Sequence, residues 1–203
     1  MSRKSKHLQS TDCDFHVYNR GVDRQTIFFR AEDYQYFTAR MCESLELCAV
    51  ALLSYCLLPN HFHLVLRQKQ PYEISRYMKA LCEGYAKAIN SRRTRTGHLF
   101  GSRFKMARVK DPPSLLRLSH YVHCNPVKAG LVKNPLEWDF SSGRNYVSSE
   151  TTGFVDCTPI LDLVGGPSQY LRFMNEYDPS MPNSARKFIL GETPPPCGWP
   201  HSS

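Results

Sequence analysis

The stretch Val50–Arg67, VALLSYCLLPNHFHLVLR, decides the fold. It contains an apolar run over Val50–Leu58, a Pro59-Asn60 pair, and an alternating run over His61–Arg67. Proline and asparagine favour tight turns, and alternation with period two is typical of a strand with one buried face. The stretch therefore predicts two antiparallel strands joined by a short turn.

Around this hairpin the sequence predicts two further strands and three helices. They are a strand from Asp14, a helix over Ala31–Cys48, a helix over 72–92, a strand over 104–109, and a helix that Asp111 begins and that ends near Asn125. The order β, α, β, β, α, β, α predicts an α+β fold with the ferredoxin-like split βαβ arrangement. We expect an antiparallel sheet with the helices packed on one face.

The chain divides by composition into a basic arm over 1–11, a main domain over 12–147 and an extension over 148–203. The extension is polar, with a short helical pattern near 168–177 and a Pro-rich end. Eight cysteines occur without a CxxC pair, which argues against zinc-finger spacing and favours a reducing, cytoplasmic compartment. No apolar run approaches the ~18 residues of a membrane span, and no signal-peptide pattern follows the basic N-terminus.

Two histidines lie on the second strand of the hairpin with one residue between them. Side chains alternate along a strand, so His61 and His63 share a face while Phe62 and Leu64 share the other. Their Cβ atoms would be roughly 6–7 Å apart, close enough for both imidazoles to bind one metal ion. A His-x-His pattern is short and common, however, and taken alone it is more typical of two surface histidines on a half-exposed strand.

The third helix carries a tyrosine and an asparagine one turn apart. Tyr121 and Asn125 share its polar face, where a phenol could act as a nucleophile and an amide oxygen could bind a metal. The alternative is a tyrosine at the rim of the core and an asparagine that ends the helix before Pro126. Tyr77 and Tyr85 are rival nucleophiles, but both lie on the apolar stripe of the second helix.

The positive charge is concentrated in one segment. The protein has a net charge of +8, and residues 84–110 contain eight basic residues and no acidic one. Such a segment suits neutralisation of nucleic-acid phosphates, although a solvated basic face is a common alternative. The candidates for DNA contact are Arg92, Arg93, Arg95, Arg103, Lys105, Arg108 and Lys110.

Four motifs occur together in this order: HVYNRGVDR (16–24), LLPNHFHLVL (57–66), GHLFGSRFK (97–105) and YVHCNPVKAGLV (121–132). Together they resemble the single-tyrosine HUH transposases, and most of all the REP-associated tyrosine transposases of bacteria. The resemblance covers about residues 14–145, so it identifies 12–147 as a catalytic domain.

The resemblance implies a role for four residues. His61 and His63 would bind a divalent metal, Mg²⁺ or Mn²⁺, Asn125 would complete the site, and Tyr121 would attack a phosphodiester to form a 5′-phosphotyrosine. The implied substrate is single-stranded DNA with a palindromic hairpin, handled by a monomer or a homodimer. Many relatives carry another tyrosine where this chain has His123, a difference that leaves the implied nucleophile in place. No general base is identified.

Two other functions remain open from the residues alone. The first is a non-catalytic nucleic-acid-binding module, since ferredoxin-like sheets also bind single strands by stacking. The second is a zinc-dependent hydrolase, which would need a third strong ligand and would keep its activity after Tyr121→Phe.

Overall fold

The computed structural model describes residues 9–148 and 153–175. These residues form four strands and five helices, with three short 3₁₀ turns between them. In chain order the elements are β1 (Cys13–Arg20), α1 (Ala31–Leu47), β2 (Val50–Leu58), β3 (His61–Gln68), α2 (Glu73–Arg92), β4 (Lys105–Arg108), α3 (Pro112–Lys128), α4 (Thr158–Val164) and α5 (Pro167–Asn175).

The four strands form one sheet in the order β2-β3-β1-β4, and every neighbouring pair is antiparallel. This is the strand order of the ferredoxin-like split βαβ fold, so the predicted α+β class and antiparallel sheet are confirmed. The hairpin of β2 and β3 turns at Pro59-Asn60 as the sequence predicts. Because β1 pairs with β3 along its whole length, the end of β1 at Arg20 lies beside His61.

The helices lie on both faces of the sheet, which corrects the expectation that they pack on one face. Phe62 points from β3 toward α1, where its ring meets that of Phe37 at 5.0 Å between centroids. His63 points the other way, toward α3, and its ring meets Tyr121. Helices α1 and α2 cover the apolar face of β3. That face is buried without any contribution from α3. The polar face of β3 instead lies against α3, and α3 contacts β2 more than any other strand.

The third helix begins where the sequence predicts and ends later. Asp111 caps it by accepting a hydrogen bond from the backbone N–H of Ser114 at 2.8 Å. The predicted end near Asn125 is wrong, because the helix continues through Pro126 to Lys128. Proline lacks the N–H that would bond the carbonyl of Val122, and the Asn125 amide donates to that oxygen at 3.4 Å instead. The asparagine thereby offsets part of the cost of a proline inside a helix, which is about 3 kcal/mol.

The described part of the 148–203 segment packs against α3. It contains the predicted helix near 168–177, observed as α5, and a shorter helix α4 that the sequence pattern does not indicate. Ile160 and Tyr170 are fully buried, and Val155 forms a bridge with Leu52 of the edge strand β2. Residues 12–148 and 153–175 thus share buried contacts, while the domain boundary at 147 stays a prediction. The Pro-rich end and most of the basic arm lie outside the described residues.

Within residues 9–148 and 153–175, no helix is both long enough and apolar enough to cross a membrane.

Candidate active site

The two histidines of β3 project from the same face of the sheet, as strand alternation predicts. Their ring centroids are 5.1 Å apart, with the ring planes nearly perpendicular at 84°. His63 is buried at 5 % exposure beneath α3, whereas His61 at the start of the strand is half-buried. The pair therefore lies at the edge of a covered surface, with one imidazole inside it and one near solvent.

A third histidine joins this pair from the neighbouring strand. His16 of β1 is buried, and its Nε2 lies 2.8 Å from Nδ1 of His63 in a hydrogen bond. Tyr18, the register partner of His63, stacks on the His16 ring at 4.9 Å between centroids. Neither residue is among the site residues that the sequence predicts. The alternation in DFHVYNR places them on one face of β1, and the pairing of β1 with β3 brings that face beside His63.

Tyr121 comes to the histidines from α3. Its ring lies edge-on to His63 at 5.6 Å between centroids and 81° between planes, and 6.1 Å from His16. Tyr121 is half-buried, and the Nζ of Lys128, two turns along the same helix, lies 4.7 Å from its ring centroid. The predicted nucleophile and the predicted metal ligands are therefore neighbours within one chain, although they are about 60 residues apart in sequence.

Asn125 is buried one turn beyond Tyr121 on α3, with its amide nitrogen held by its own helix. Nδ2 donates to the carbonyl oxygen of Tyr121 at 2.8 Å and to that of Val122 at 3.4 Å. These bonds use the nitrogen, and the carbonyl oxygen Oδ1 is the atom through which an asparagine binds a metal.

The rival tyrosines lie on the other side of the sheet. Tyr77 and Tyr85 are fully buried in the core between α2 and the strands. The hydroxyl of Tyr85 donates to the backbone carbonyl of Ile27 at 2.7 Å, and burial raises the pKa of both phenols above the ordinary tyrosine value. Both residues serve packing, and both are remote from His63.

The donor atoms of the sheet histidines fit a divalent cation. Nδ1 of His61 is hydrogen-bonded to Oδ1 of Asn60 at 2.6 Å, and Nδ1 of His63 is bonded to His16. Outer partners on Nδ1 orient an imidazole so that Nε2 faces the metal. In the described parts of the chain, no group of three or more His, Cys, Asp or Glu side chains could hold a metal ion. Imidazole nitrogens and amide oxygens are the kinds of donor that Mn²⁺ and Mg²⁺ accept, with water completing the coordination shell.

The arginines at the end of α2 contact the first helix and the segment before it. The Arg92 guanidinium lies 4.5 Å from the Tyr36 ring centroid, and that of Arg93 lies 3.6 Å from the Phe29 ring centroid. Both side chains are exposed and their planar groups stack on the rings, and the Arg92 guanidinium also lies 3.8 Å from the Asp33 carboxylate. Arg95 follows in the loop. These three arginines lie on the α1 and α2 side of the sheet, away from Tyr121.

The remaining basic candidates lie along β4 and beside it. Lys105 pairs with Tyr18 in the sheet, which places it near the histidines, with its Nζ 5.9 Å from the Tyr18 ring centroid. Arg108 is at the far end of the strand, where it donates to Sγ of Cys13, and Lys110 follows it. Arg103 is exposed in the loop before the strand. The basic segment is therefore split between the two faces and the two ends of the sheet.

Comparison with known proteins agrees with this fold. The family described as "Transposase IS200 like" matches residues 9–125, more than half of the chain. A REP-associated tyrosine transposase bound to a REP hairpin is similar in structure, with a TM-score of 0.61 and 16 % identity over 73 % of this chain and 86 % of that one. A putative transposase from Deinococcus radiodurans R1 matches with a TM-score of 0.41 and 16 % identity over 54 % of this chain and 87 % of that one. No curated protein sequence matches the chain.

Proposed function

This chain belongs to the IS200-like transposase family, and from that premise we propose that it is a metal-dependent endonuclease and strand transferase acting on single-stranded DNA. One observation carries the proposal: the ring of Tyr121 lies 5.6 Å from that of His63, edge-on, within the same chain. A helix tyrosine beside strand imidazoles supplies a nucleophile and a place for a phosphate together. This neighbourhood also supports a site built within one chain, whether the protein is a monomer or a homodimer.

The proposed reaction exchanges one phosphate ester for another. The phenol oxygen of Tyr121 attacks the phosphorus, forming a P–O bond to tyrosine while the bond to the 3′ oxygen breaks. The phenol loses its proton and the departing 3′ oxygen gains one, which leaves a 5′-phosphotyrosine and a free 3′-OH. Because the ester bond is conserved, attack by another 3′-OH rejoins the strand without an external energy source.

The proposal gives each of four residues a role: Tyr121 is the nucleophile, and His61, His63 and Asn125 are the metal ligands. The two imidazoles and the Asn125 amide oxygen would hold Mg²⁺ or Mn²⁺, and such an ion neutralises the phosphate and orients it for in-line attack. All three ligands are neutral, so none of them reduces the charge that the phosphate meets. The T-shaped packing of Tyr121 on His63 and His16 limits the directions in which the phenol can point.

A hairpin of single-stranded DNA, formed from a palindromic repeat, is the proposed substrate. The structurally similar REP-associated tyrosine transposase was solved bound to a REP hairpin, and its fold covers 73 % of this chain. Lys105 is the register partner of Tyr18, and Arg103 precedes it in the adjoining loop, so we assign both to the strand that enters the site. Arg92, Arg93 and Arg95, on the other side of the sheet, are assigned to phosphates of the stem.

The test uses two tyrosines that both adjoin His63. The protein is incubated with a labelled single-stranded hairpin and Mn²⁺, and the covalent protein–DNA adduct is measured on a denaturing gel. Tyr121→Phe should abolish the adduct, because phenylalanine lacks the attacking oxygen. Tyr18→Phe is the matched control and should keep it. EDTA should abolish the adduct in the unaltered protein.

Three outcomes would contradict the proposal in different ways. An adduct that survives Tyr121→Phe but not Tyr18→Phe would move the nucleophile to β1. Cleavage without any adduct that persists in Tyr121→Phe would favour a hydrolase. Hairpin binding without cleavage by any form of the protein would leave a non-catalytic nucleic-acid-binding module.

A further inference from the structure

Asn60, in the turn between β2 and β3, connects a proposed metal ligand to a distant backbone segment. Its Oδ1 lies 2.6 Å from Nδ1 of His61, and its Nδ2 donates to the backbone carbonyl oxygen of Arg24 at 3.2 Å. Its own backbone carbonyl accepts a hydrogen bond from the N–H of Gly21 at 2.9 Å. One side chain thus bridges His61 and the turn that follows β1.

The partner at Arg24 decides which way the Asn60 amide faces. A backbone carbonyl can only accept a hydrogen bond, so the NH₂ group of Asn60 must be the part that meets Arg24. The amide oxygen then faces His61 and can only accept, so Nδ1 of His61 must carry the proton. A neutral imidazole protonated on Nδ1 has its lone pair on Nε2. Asn60 therefore determines which nitrogen of His61 is able to bind a metal.

The turn that supplies the Arg24 carbonyl has an unusual backbone. Asp23 and Arg24 have φ values of 50° and 59°, in the left-handed region that side chains other than glycine rarely adopt. The turn starts at Gly21, where a Cβ would lie 2.2 Å from the carbonyl oxygen of Gln25, so only glycine permits this close approach. Consecutive left-handed residues persist where surrounding contacts hold them, and such strain is concentrated at functional sites.

We propose that Asn60 is a positioning residue for His61, and that the left-handed turn at Asp23-Arg24 serves to present the carbonyl oxygen that anchors Asn60. The inference rests on the proposed function, since it assigns an outer partner to the metal ligand of that same site. It also gives a physical reason for two parts of the sequence, the turn after Arg20 and the asparagine before His61. Outer partners of metal-bound imidazoles contribute to metal affinity by fixing the ring and its tautomer.

The test measures the tautomer and the metal affinity separately, in the full-length protein without DNA. Long-range ¹H–¹⁵N NMR spectra distinguish Nδ1–H from Nε2–H imidazoles, and electron paramagnetic resonance of unbound Mn²⁺ gives the dissociation constant. Asn60→Ala removes the acceptor, so the Nδ1–H signal of His61 should be lost and the Mn²⁺ dissociation constant should rise about 10–100-fold.

Two matched variants separate the roles of the two amide ends and of the turn. Asn60→Asp keeps an acceptor for Nδ1–H but loses the donor to the Arg24 carbonyl, so the tautomer should be retained while Mn²⁺ affinity falls, by less than in Asn60→Ala. Mn²⁺ affinity equal to that of the unaltered protein in Asn60→Asp would remove the anchoring role of the Arg24 carbonyl. Arg24→Gly keeps the carbonyl and suits the left-handed φ, so it should preserve both readouts. A loss of affinity in Arg24→Gly would overturn the backbone role of the turn.

A third variant distinguishes failure of this inference from failure of the proposed function. His61→Ala should abolish the Mn²⁺ binding that is measured. If it does so while Asn60→Ala binds Mn²⁺ as tightly as the unaltered protein and keeps the Nδ1–H tautomer, Asn60 has no positioning role and the metal site stands. If His61→Ala binds Mn²⁺ normally, the metal site itself is wrong, and the role of Asn60 fails with it.

Discussion

Five of the histidines that the structure describes form two groups, and the groups differ in the partners that their ring nitrogens bond. The sheet histidines (His16, His61 and His63) lie on β1 and β3, and His61 reaches toward solvent. The helix histidines (His120 and His123) lie on α3 and face the C-terminal segment instead. Both groups are close to Tyr121 in sequence or in space, so proximity alone does not separate a catalytic histidine from a structural one.

His123 shows what a closed environment does to an imidazole. It is fully buried, with Nδ1 bonded to the hydroxyl of Tyr170 at 2.7 Å and Nε2 bonded to the hydroxyl of Ser142 at 2.8 Å. The pKa of His123 is lowered to about 3, mainly by burial and to a smaller extent by the nearby His120. With both ring nitrogens bonded inside the protein, His123 has no atom left for a ligand, and it joins α3 to α5 directly and to β2 through Ser142.

The largest effects should come from removing one histidine of each group in parallel. His63→Ala deletes an imidazole that faces Tyr121, and since a bound metal contributes several kcal/mol to attack on phosphate, adduct formation should fall by about 100-fold or more. His123→Ala removes one hydrogen-bond partner from each of two buried hydroxyls and empties a fully buried site, so it should lower the free energy of unfolding by about 2–4 kcal/mol. Urea denaturation and adduct yield, measured on both variants, give the two effects independently.

The distinction between catalytic sheet histidines and structural helix histidines would be contradicted if the two variants changed stability and adduct yield in the same way. A His63→Ala protein whose adduct yield fell only in proportion to its unfolded fraction would make the sheet histidines structural. A His123→Ala protein that stayed stable but formed no adduct would place the helix histidines in the chemistry.

Much of the fold was predictable because its signals are local. The alternation in His61–Arg67 and the Pro59-Asn60 pair are enough for the hairpin, and the Asp111 cap is enough for the start of α3. The end of α3 was not predictable from Pro126, because the compensating hydrogen bond comes from the side chain of Asn125. The rule that proline ends a helix assumes that no neighbouring donor replaces the missing N–H.

The site divides in the same way. His61 and His63 are found from one strand, and the structure brings Tyr121 to them, but its catalytic role stays a proposal. His16 and Tyr18 were missed because their importance depends on the pairing of β1 with β3, which no local pattern encodes. The placement of α3 on the polar face of the sheet was not predicted for a related reason. Two faces of this helix are partly apolar, so its sequence pattern does not indicate which face packs on the sheet.

A smaller effect should appear as a pH dependence of stability that belongs to the helix histidines. Burial, followed by the charge of Lys128, lowers the pKa of His120 from 6.5 to about 4 in the folded protein. Between these values the unfolded chain binds more protons than the folded one, so stability falls as the pH drops from about 6.5 toward 4. His120 accounts for roughly 3 kcal/mol at most of this pH-dependent loss of unfolding free energy.

His120→Gln isolates that share, because glutamine does not titrate. The free energy of unfolding is measured by urea denaturation at pH 7.5 and at pH 4.5 for both proteins. The loss between the two pH values should be clearly smaller in His120→Gln, with the remainder coming from His123 and other groups. An identical loss of unfolding free energy in both proteins would mean that His120 is solvated, and not buried, in the folded state.

The smallest effect tests whether the C-terminal segment serves structure alone. The Tyr170 hydroxyl bonds Nδ1 of His123 at 2.7 Å and Oγ of Ser119 at 3.1 Å, so Tyr170→Phe should lower the free energy of unfolding by about 1–2 kcal/mol. Tyr72→Phe is the matched control, since that side chain is 48 % exposed and its loss of a hydroxyl should cost little. Adduct formation by folded Tyr170→Phe should match that of the unaltered protein, because Tyr121 meets the sheet on the opposite side of α3. A stable Tyr170→Phe protein with a much reduced adduct yield would show that the helix histidines determine the position of Tyr121. The helix histidines and the sheet histidines would then form one functional unit.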